Sequence, residues 1–217
     1  MKVCILSHTD FDMQNFPGLV AALPFGEAEQ KRLLAIKNPR AAAESLGGFL
    51  CLAKLLAPFS DKNLTILRSA GGKPHFRDPT LPDFNISHSG CLSAALLSEE
   101  SENAVGLDLE QIRPFPGYCG IAERFFSDAE REELSAHSND LDFFFLLWTR
   151  KEAYAKRTGN GLCTLLAESS AVCTGFFKSY RITKEDKTAI LTLCAESAPR
   201  SIQIFCNEEI KYHELPY

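Results

Sequence analysis

Val105-Gly106-Leu107-Asp108-Leu109-Glu110, taken with Trp148-Thr149-Arg150-Lys151-Glu152-Ala153-Tyr154-Ala155-Lys156, decides how this chain is read. The first stretch alternates. Val105, Leu107 and Leu109 fall on one face of a buried strand, and Asp108 and Glu110 fall on the other. Carboxylates two positions apart on a strand sit side by side and repel each other unless a cation lies between them. The second stretch predicts a helix with Trp148, Glu152 and Lys156 in one stripe at four-residue spacing. A third carboxylate with an ammonium one turn further on suits a magnesium-phosphate site, because magnesium takes few carboxylates and leaves its other positions to water and phosphate oxygens. Taken singly these signals are weak. An isolated Asp-x-Glu is usually a solvent-facing pair, and Glu152 with Lys156 alone would be a helix-surface ion pair worth about 0.2–0.5 kcal/mol.

The rest of the chain narrows the class. Its 217 residues can bury the core of one large domain or two small ones. A hydrophobic content of 45% and a charged content of 24% are those of an ordinary globular protein. A formal net charge of −5 argues against a broad nucleic-acid surface, so an anionic ligand needs a local cluster of cations. The eight cysteines contain no Cys-x-x-Cys pair, which argues against a zinc ribbon, a redox motif or a disulfide framework. Met1 to His8 reads as a first strand, too short in its apolar run for a signal peptide, and Leu141 to Trp148 falls short of a membrane span. The expectation is a cytoplasmic protein, monomeric, with no membrane and no nucleic-acid partner.

Along the chain, Glu27 to Phe59 reads as helices, the second opened by Pro39 after Asn38. Asn63 to Arg68 alternates like a strand, and a Gly/Pro-rich connection follows. Phe84–Ser87 and Cys91–Leu97 read as strands broken at His88-Ser89-Gly90. Ser127 with Glu130 forms a capping box for a helix to about Ala136, and a helix from Leu141 to Lys156 follows. Ala171–Phe177, Tyr180–Thr183, Thr188–Cys194 and Ser201–Cys206 read as antiparallel strands. Helices followed by strands therefore occur twice. The expected fold class is α+β, with two similar subdomains, residues 1–101 and 102–217, each packing helices on a mainly antiparallel sheet.

Two further segments complete a recognisable set: Gly71-Gly72-Lys73-Pro74-His75 and Phe84-Asn85-Ile86-Ser87-His88-Ser89-Gly90. In order, Gly-Lys-Pro, Phe-Asn-Ile-Ser-His-Ser, Gly-Leu-Asp-Leu-Glu and Trp-x-x-Lys-Glu-x-x-x-Lys-x-x-Gly-x-Gly-Leu resemble the 4′-phosphopantetheinyl transferases, specifically the longer surfactin-synthetase-activating type. The motifs run from Gly72 to Leu162, in family order and at family-like spacing.

The resemblance implies a pseudo-twofold pair of subdomains with the ligand in the cleft between them. It implies transfer of 4′-phosphopantetheine from coenzyme A to a serine of an apo acyl or peptidyl carrier protein, with release of 3′,5′-ADP. Such carriers serve fatty acid, polyketide or nonribosomal peptide biosynthesis. Asp108, Glu110 and Glu152 would hold Mg2+, with Asp108, Glu152 and Lys156 as the catalytic set. Coenzyme A would lie against Gly72, Lys73, Pro74 and His75, with Ser87, His88, Lys31, Lys73, Lys156, Asp108 and Glu152 around its phosphates. One departure is visible: the family carries an arginine near Ala43-Glu44-Ser45, where this chain has none, and Arg40 one turn earlier is the available substitute. The competing readings are a silent homologue that binds without transfer, and a metal-dependent phosphohydrolase. Ile112, Arg113, Phe115 and Tyr118, in a proline-rich loop beside the carboxylates, are the candidate contacts for the carrier.

Overall fold

The computed structural model describes residues 1–9, 11–59, 64–100, 103–159 and 173–216. Its strands are β1 (Lys2–Ser7), β2 (Ile66–Arg68), β3 (Pro74–Phe76), β4 (Phe84–Ser89), β5 (Leu92–Leu97), β6 (Val105–Gln111), β7 (Phe176–Lys184), β8 (Lys187–Ala195), β9 (Gln203–Phe205) and β10 (Ile210–Glu214). Its α-helices are α1 (Phe16–Ala21), α2 (Glu27–Leu34), α3 (Pro39–Leu55), α4 (Tyr118–Phe125), α5 (Asp128–Ala136) and α6 (Leu141–Thr158). This is the α+β class expected from the sequence.

The strands form two main sheets, ordered β4-β5-β1-β9 and β10-β7-β8-β6, and a small β2-β3 ribbon. Alternation explains their stacking. Cys4, Ala95 and Leu97 face the helix α3 side of the first sheet, where Leu46, Phe49, Leu52 and Leu56 meet them. Val3, Ile5, Ala94 and Leu96 point the other way and pack on Val105, Leu107, Leu109, Leu191 and Leu193 of the second sheet. Both sheets are therefore buried on their inner faces, with α3 outside one and α6 outside the other.

Helix ends are set by local chemistry. The Asn38 side chain accepts from the Ala41 N–H at 3.1 Å, with Pro39 in the first turn of α3. Ser127 and Glu130 close the expected capping box on α5. Asp140 caps α6, which ends at Gly159 in the left-handed region, φ 72°. Lys151, 4% exposed, reaches Glu130 Oε2 at 2.8 Å and pins the start of α5 to α6.

Three readings of the sequence differ from the structure. β4 continues to Ser89, because its Ser87, His88 and Ser89 keep their register with Ala94, Ser93 and Leu92 of β5. Phe176–Lys184 is one strand rather than two, paired along its whole length with β8. β9 does not join the C-terminal antiparallel set; it crosses to the first sheet and runs parallel to β1. Ala171 and the Gly161-Leu162 end of the last motif lie outside the described residues. Among the described residues no helix is long and apolar enough to cross a membrane.

β4 and β6, the meeting edges of the two sheets, are joined by side chains instead of a main-chain ladder. Asp83 Oδ2, Asn85 Oδ1, Ser87 Oγ and Ser89 Oγ accept from the N–H groups of Val105, Leu107, Leu109 and Gln111 at 2.9, 3.0, 3.2 and 3.0 Å. Four amides that would otherwise be orphaned along a covered edge are thereby satisfied, each costing about 1–3 kcal/mol if left alone.

α6 lies against the other side of β6, and Gly106 is what allows it. A Cβ there would sit 2.0 Å from the Ala153 carbonyl oxygen and 2.5 Å from the Arg157 nitrogen, both backbone atoms that cannot swing away. Gly106→Ala is therefore expected to force α6 off β6 and to destabilise the protein by roughly 3 kcal/mol or more. Urea unfolding measures this, and an unchanged midpoint would refute the close approach.

Candidate active site

The alternation of β6 sends Gly106, Asp108 and Glu110 toward α6, while Val105, Leu107 and Leu109 enter the core between the sheets. α6 then brings Thr149, Ala153 and Lys156 down on that face. Thr149 Oγ1 meets Thr192 Oγ1 at 2.8 Å, and Thr192 is the direct cross-strand partner of Asp108. The three carboxylates expected to work together thus come from two elements locked by one helix–strand contact.

Asp108 is 3% exposed. Its Oδ1 takes the Lys156 ammonium at 2.6 Å and the Ser87 hydroxyl at 3.0 Å. Its Oδ2 is buried with no partner. The Lys156 ammonium turns to Asp108, and also to Ser87 Oγ at 2.9 Å, rather than to Glu152 one turn earlier. Ser89 repeats the pattern two residues along β4, donating to Glu110 Oε2 at 2.8 Å. Each serine of β4 therefore holds one carboxylate of β6 and the backbone N–H of the residue after it.

Burial raises the Glu110 carboxyl above its ordinary value, and the Asp108 charge adds to the effect. Glu152 is pushed from 4.5 to about 7 by burial first and by repulsion from Asp108 second, with Lys156 opposing. Three acids in mutual electrostatic reach, one with an orphaned buried oxygen, are chemically suited to a hard divalent cation. Among the described residues no three His, Cys, Asp or Glu side chains are gathered tightly enough to hold a metal as they stand. The donor set fits; the coordination shell is not closed.

Beside these acids opens a cleft of about 230 Å3, lined by Gly71, Gly72, Lys73, Pro74, Asn85, Ile86, Glu152, Ala155, Lys156 and Gly159. The Gly-Lys-Pro turn and the carboxylate helix, far apart in sequence, form its two walls.

Other expected residues fall differently. The Lys73 ammonium, expected at a phosphate, donates instead to Asp83 Oδ2 at 2.7 Å and to the carbonyls of Val105 and Arg157 at 3.0 and 3.4 Å. It braces the turn against the start of β6 and the end of α6. The Ser87 hydroxyl, also expected at a phosphate, is used within the fold: it donates to Asp108 and accepts from Leu109 and Lys156. His88 lies with its Nδ1 3.6 Å from Glu44 Oε2, and the Arg40 Nε, the proposed substitute, is spent on Glu44 Oε1 at 2.9 Å. Lys31 is exposed on α2 and pairs with Glu27 at 2.8 Å, outside the cleft lining. His75 follows on β3 opposite Leu67 and is not among the described lining residues. Phe115 and Tyr118 pack on Phe144, with ring centroids 6.2 and 5.2 Å apart, so of the candidate carrier contacts only Arg113 is exposed.

Asp83, Asn85 and Ser89 build this framework by accepting from β6 amides, a role not singled out from the sequence. Their signal was there: Asp-x-Asn-x-Ser-x-Ser puts a short polar side chain at every second position of a strand that otherwise reads as core.

Clustered acids with an ammonium beside a cleft, on an α+β frame, are chemically suited to group transfer on an anionic substrate. A model of the 4′-phosphopantetheinyl transferase superfamily matches residues 104–212, the span that carries all three acids and Lys156. The 4′-phosphopantetheinyl transferase AcpT of Escherichia coli O157:H7 is 38% identical over 152 residues, covering 69% of this chain and 72% of its own. The AcpT of Salmonella typhi is 32% identical over 157 residues, 71% of this chain and 79% of its own. The 4′-phosphopantetheinyl transferase psf-1 of Bacillus pumilus is 35% identical over 136 residues, 62% and 52% of the two chains. The chain belongs to the 4′-phosphopantetheinyl transferase superfamily.

The raised Glu152 carboxyl sets a pH dependence for the ligand-free protein. Below about pH 4.5 it is protonated both folded and unfolded, so it leaves stability unchanged; as pH rises to about 7 the unfolded chain ionises first and stability is lost. Glu152→Gln is expected to raise the stability of the ligand-free protein at pH 8 by on the order of 1–2 kcal/mol after solvent screening, with little effect at pH 4. Thermal melts of both proteins at the two pH values check it, and an equal shift at both would contradict the electrostatic cause.

Proposed function

We propose that this chain transfers the 4′-phosphopantetheine group of coenzyme A to a serine hydroxyl of an apo acyl or peptidyl carrier protein, releasing 3′,5′-ADP, with Mg2+ as cofactor. The observation that carries this reading is the cleft wall that sets Glu152 beside the Lys156–Asp108 pair, facing the Gly72–Pro74 turn.

In this reading the carrier serine oxygen attacks the phosphorus that bears pantetheine. A new P–O bond forms, and the bond from that phosphorus to the oxygen of the 3′,5′-ADP leaving group breaks. The serine proton passes to Glu152, the carboxylate of the cleft wall. Lys156 places a positive charge at the cleft wall, where it offsets the negative charge of the diphosphate. Its bonds to Asp108 and Ser87 hold that charge in place before substrate arrives. Gly72 and Pro74 offer main chain at the opposite wall, with Lys73 tying that wall to β6. Asp108, Glu110 and Glu152 would hold the magnesium, which when bound neutralises charge on the transferring and leaving phosphates. The division into subdomains 1–101 and 102–217, with coenzyme A motifs in the first and acids in the second, belongs to the same proposal.

A silent homologue that binds without transfer is the second reading, favoured by the Arg40–Glu44 pair where the family carries an arginine. Mass spectrometry of an apo carrier protein incubated with the chain, coenzyme A and magnesium separates the two. The expected result is a gain of one phosphopantetheine, abolished by Glu152→Gln; no gain with the intact chain on any carrier class would reject transfer. Lys156→Ala should weaken coenzyme A binding or slow transfer about tenfold or more. Kinetics at limiting coenzyme A test this, and unchanged values would reduce Lys156 to a partner of Asp108.

A further inference from the structure

Asn85 has a capacity that the β4–β6 junction does not use. Four side chains share one backbone task there, accepting N–H groups of β6, and they are an aspartate, an asparagine and two serines. A carboxylate or a hydroxyl evidently serves as well as an amide, so the acceptor role alone does not call for asparagine at 85. The Leu107 N–H is a donor, which makes the Asn85 atom facing it the carbonyl oxygen and turns Nδ2 away from β6. Among the described residues Nδ2 has no hydrogen-bond partner. Of the four side chains, Asn85 alone lines the cleft, between the Gly72–Pro74 wall and the Glu152–Lys156 wall.

The neighbouring ammonium indicates what such a donor would meet. Ser87, two residues along the same strand face, receives the Lys156 ammonium. Lys156 and Asn85 line the same cleft. An amide N–H and an ammonium in one cleft can grip neighbouring oxygens of a single extended anion, as a diphosphate provides. We propose that Asn85 is a substrate-binding residue: its Nδ2–H donates to an oxygen of the coenzyme A diphosphate while Oδ1 holds the Leu107 N–H. The inference rests on the transfer reading above.

The neighbours supply the controls. Asn85→Ser keeps a hydroxyl acceptor of the kind Ser87 and Ser89 use, and Asn85→Asp keeps a carboxylate acceptor of the kind Asp83 uses. Both delete the amide donor. Calorimetric titration of the intact chain with coenzyme A, and separately with adenosine 5′-diphosphate, tests the contact. Asn85→Ser should raise the dissociation constant for coenzyme A by roughly five- to tenfold, and Asn85→Asp by more, since it sets a negative charge beside the anion. The diphosphate probe should weaken by the same factor. Wild-type affinity for coenzyme A in the variants overturns the contact; if Asn85→Ser does not fold, Asn85→Asp alone decides. Weakened coenzyme A with unchanged adenosine 5′-diphosphate overturns the assignment to the diphosphate. Failure of the unmodified chain to bind coenzyme A overturns the transfer reading, and this contact falls with it.

Discussion

The row of side-chain-to-backbone hydrogen bonds between β4 and β6 is the constraint on which the rest depends. Two edge strands that meet without a ladder would leave a line of unpaired amides in a covered place. Asp83, Asn85, Ser87 and Ser89 fill that line by presenting one acceptor for every second N–H of β6. The match works because side chains on a strand face and N–H groups on a strand edge share the same two-residue period. The two sheets are thereby fixed edge to edge, and the cleft lies beside that junction.

The same hydroxyls set the electrostatics. Ser87 and Ser89 hold Asp108 and Glu110, and Lys156 closes on Asp108 from α6. Gly106 removes the side chain that would keep α6 away. Close approach makes the acids repel, and the repulsion together with burial brings Glu152 to about 7. The site is thus poised at some cost to the stability of the ligand-free protein, as expected where charge is gathered for chemistry.

Lysines have divided roles here. Lys156 serves the acids, Lys151 is buried on Glu130 to set α5, and Lys73 ties the Gly-Lys-Pro turn to both β6 and α6. Burial separates them from Lys31, which remains on the surface beside Glu27. Lys73, among carbonyls and a carboxylate, braces the fold; Lys156, held on Asp108, keeps 30% of its side chain exposed.

The sequence by itself determined the α+β class, the alternating β6, the capping box on α5, the span of α6 and the grouping of Asp108, Glu110, Glu152 and Lys156. These are legible because each depends on a short period or a local cap, or on motifs quoted residue by residue. The tertiary structure alone decided that β9 leaves the C-terminal strands for the first sheet, since strand partners depend on contacts distant in sequence. It also decided the partners of charged groups: Lys156 with Asp108 and not Glu152, Lys73 with Asp83, His88 beside Glu44. A long side chain reaches many acids within a few ångströms, and which it meets is set by how α3, β4 and α6 pack. The polar alternation of Asp83 to Ser89 was visible in the chain, but its meaning required β6 to lie alongside.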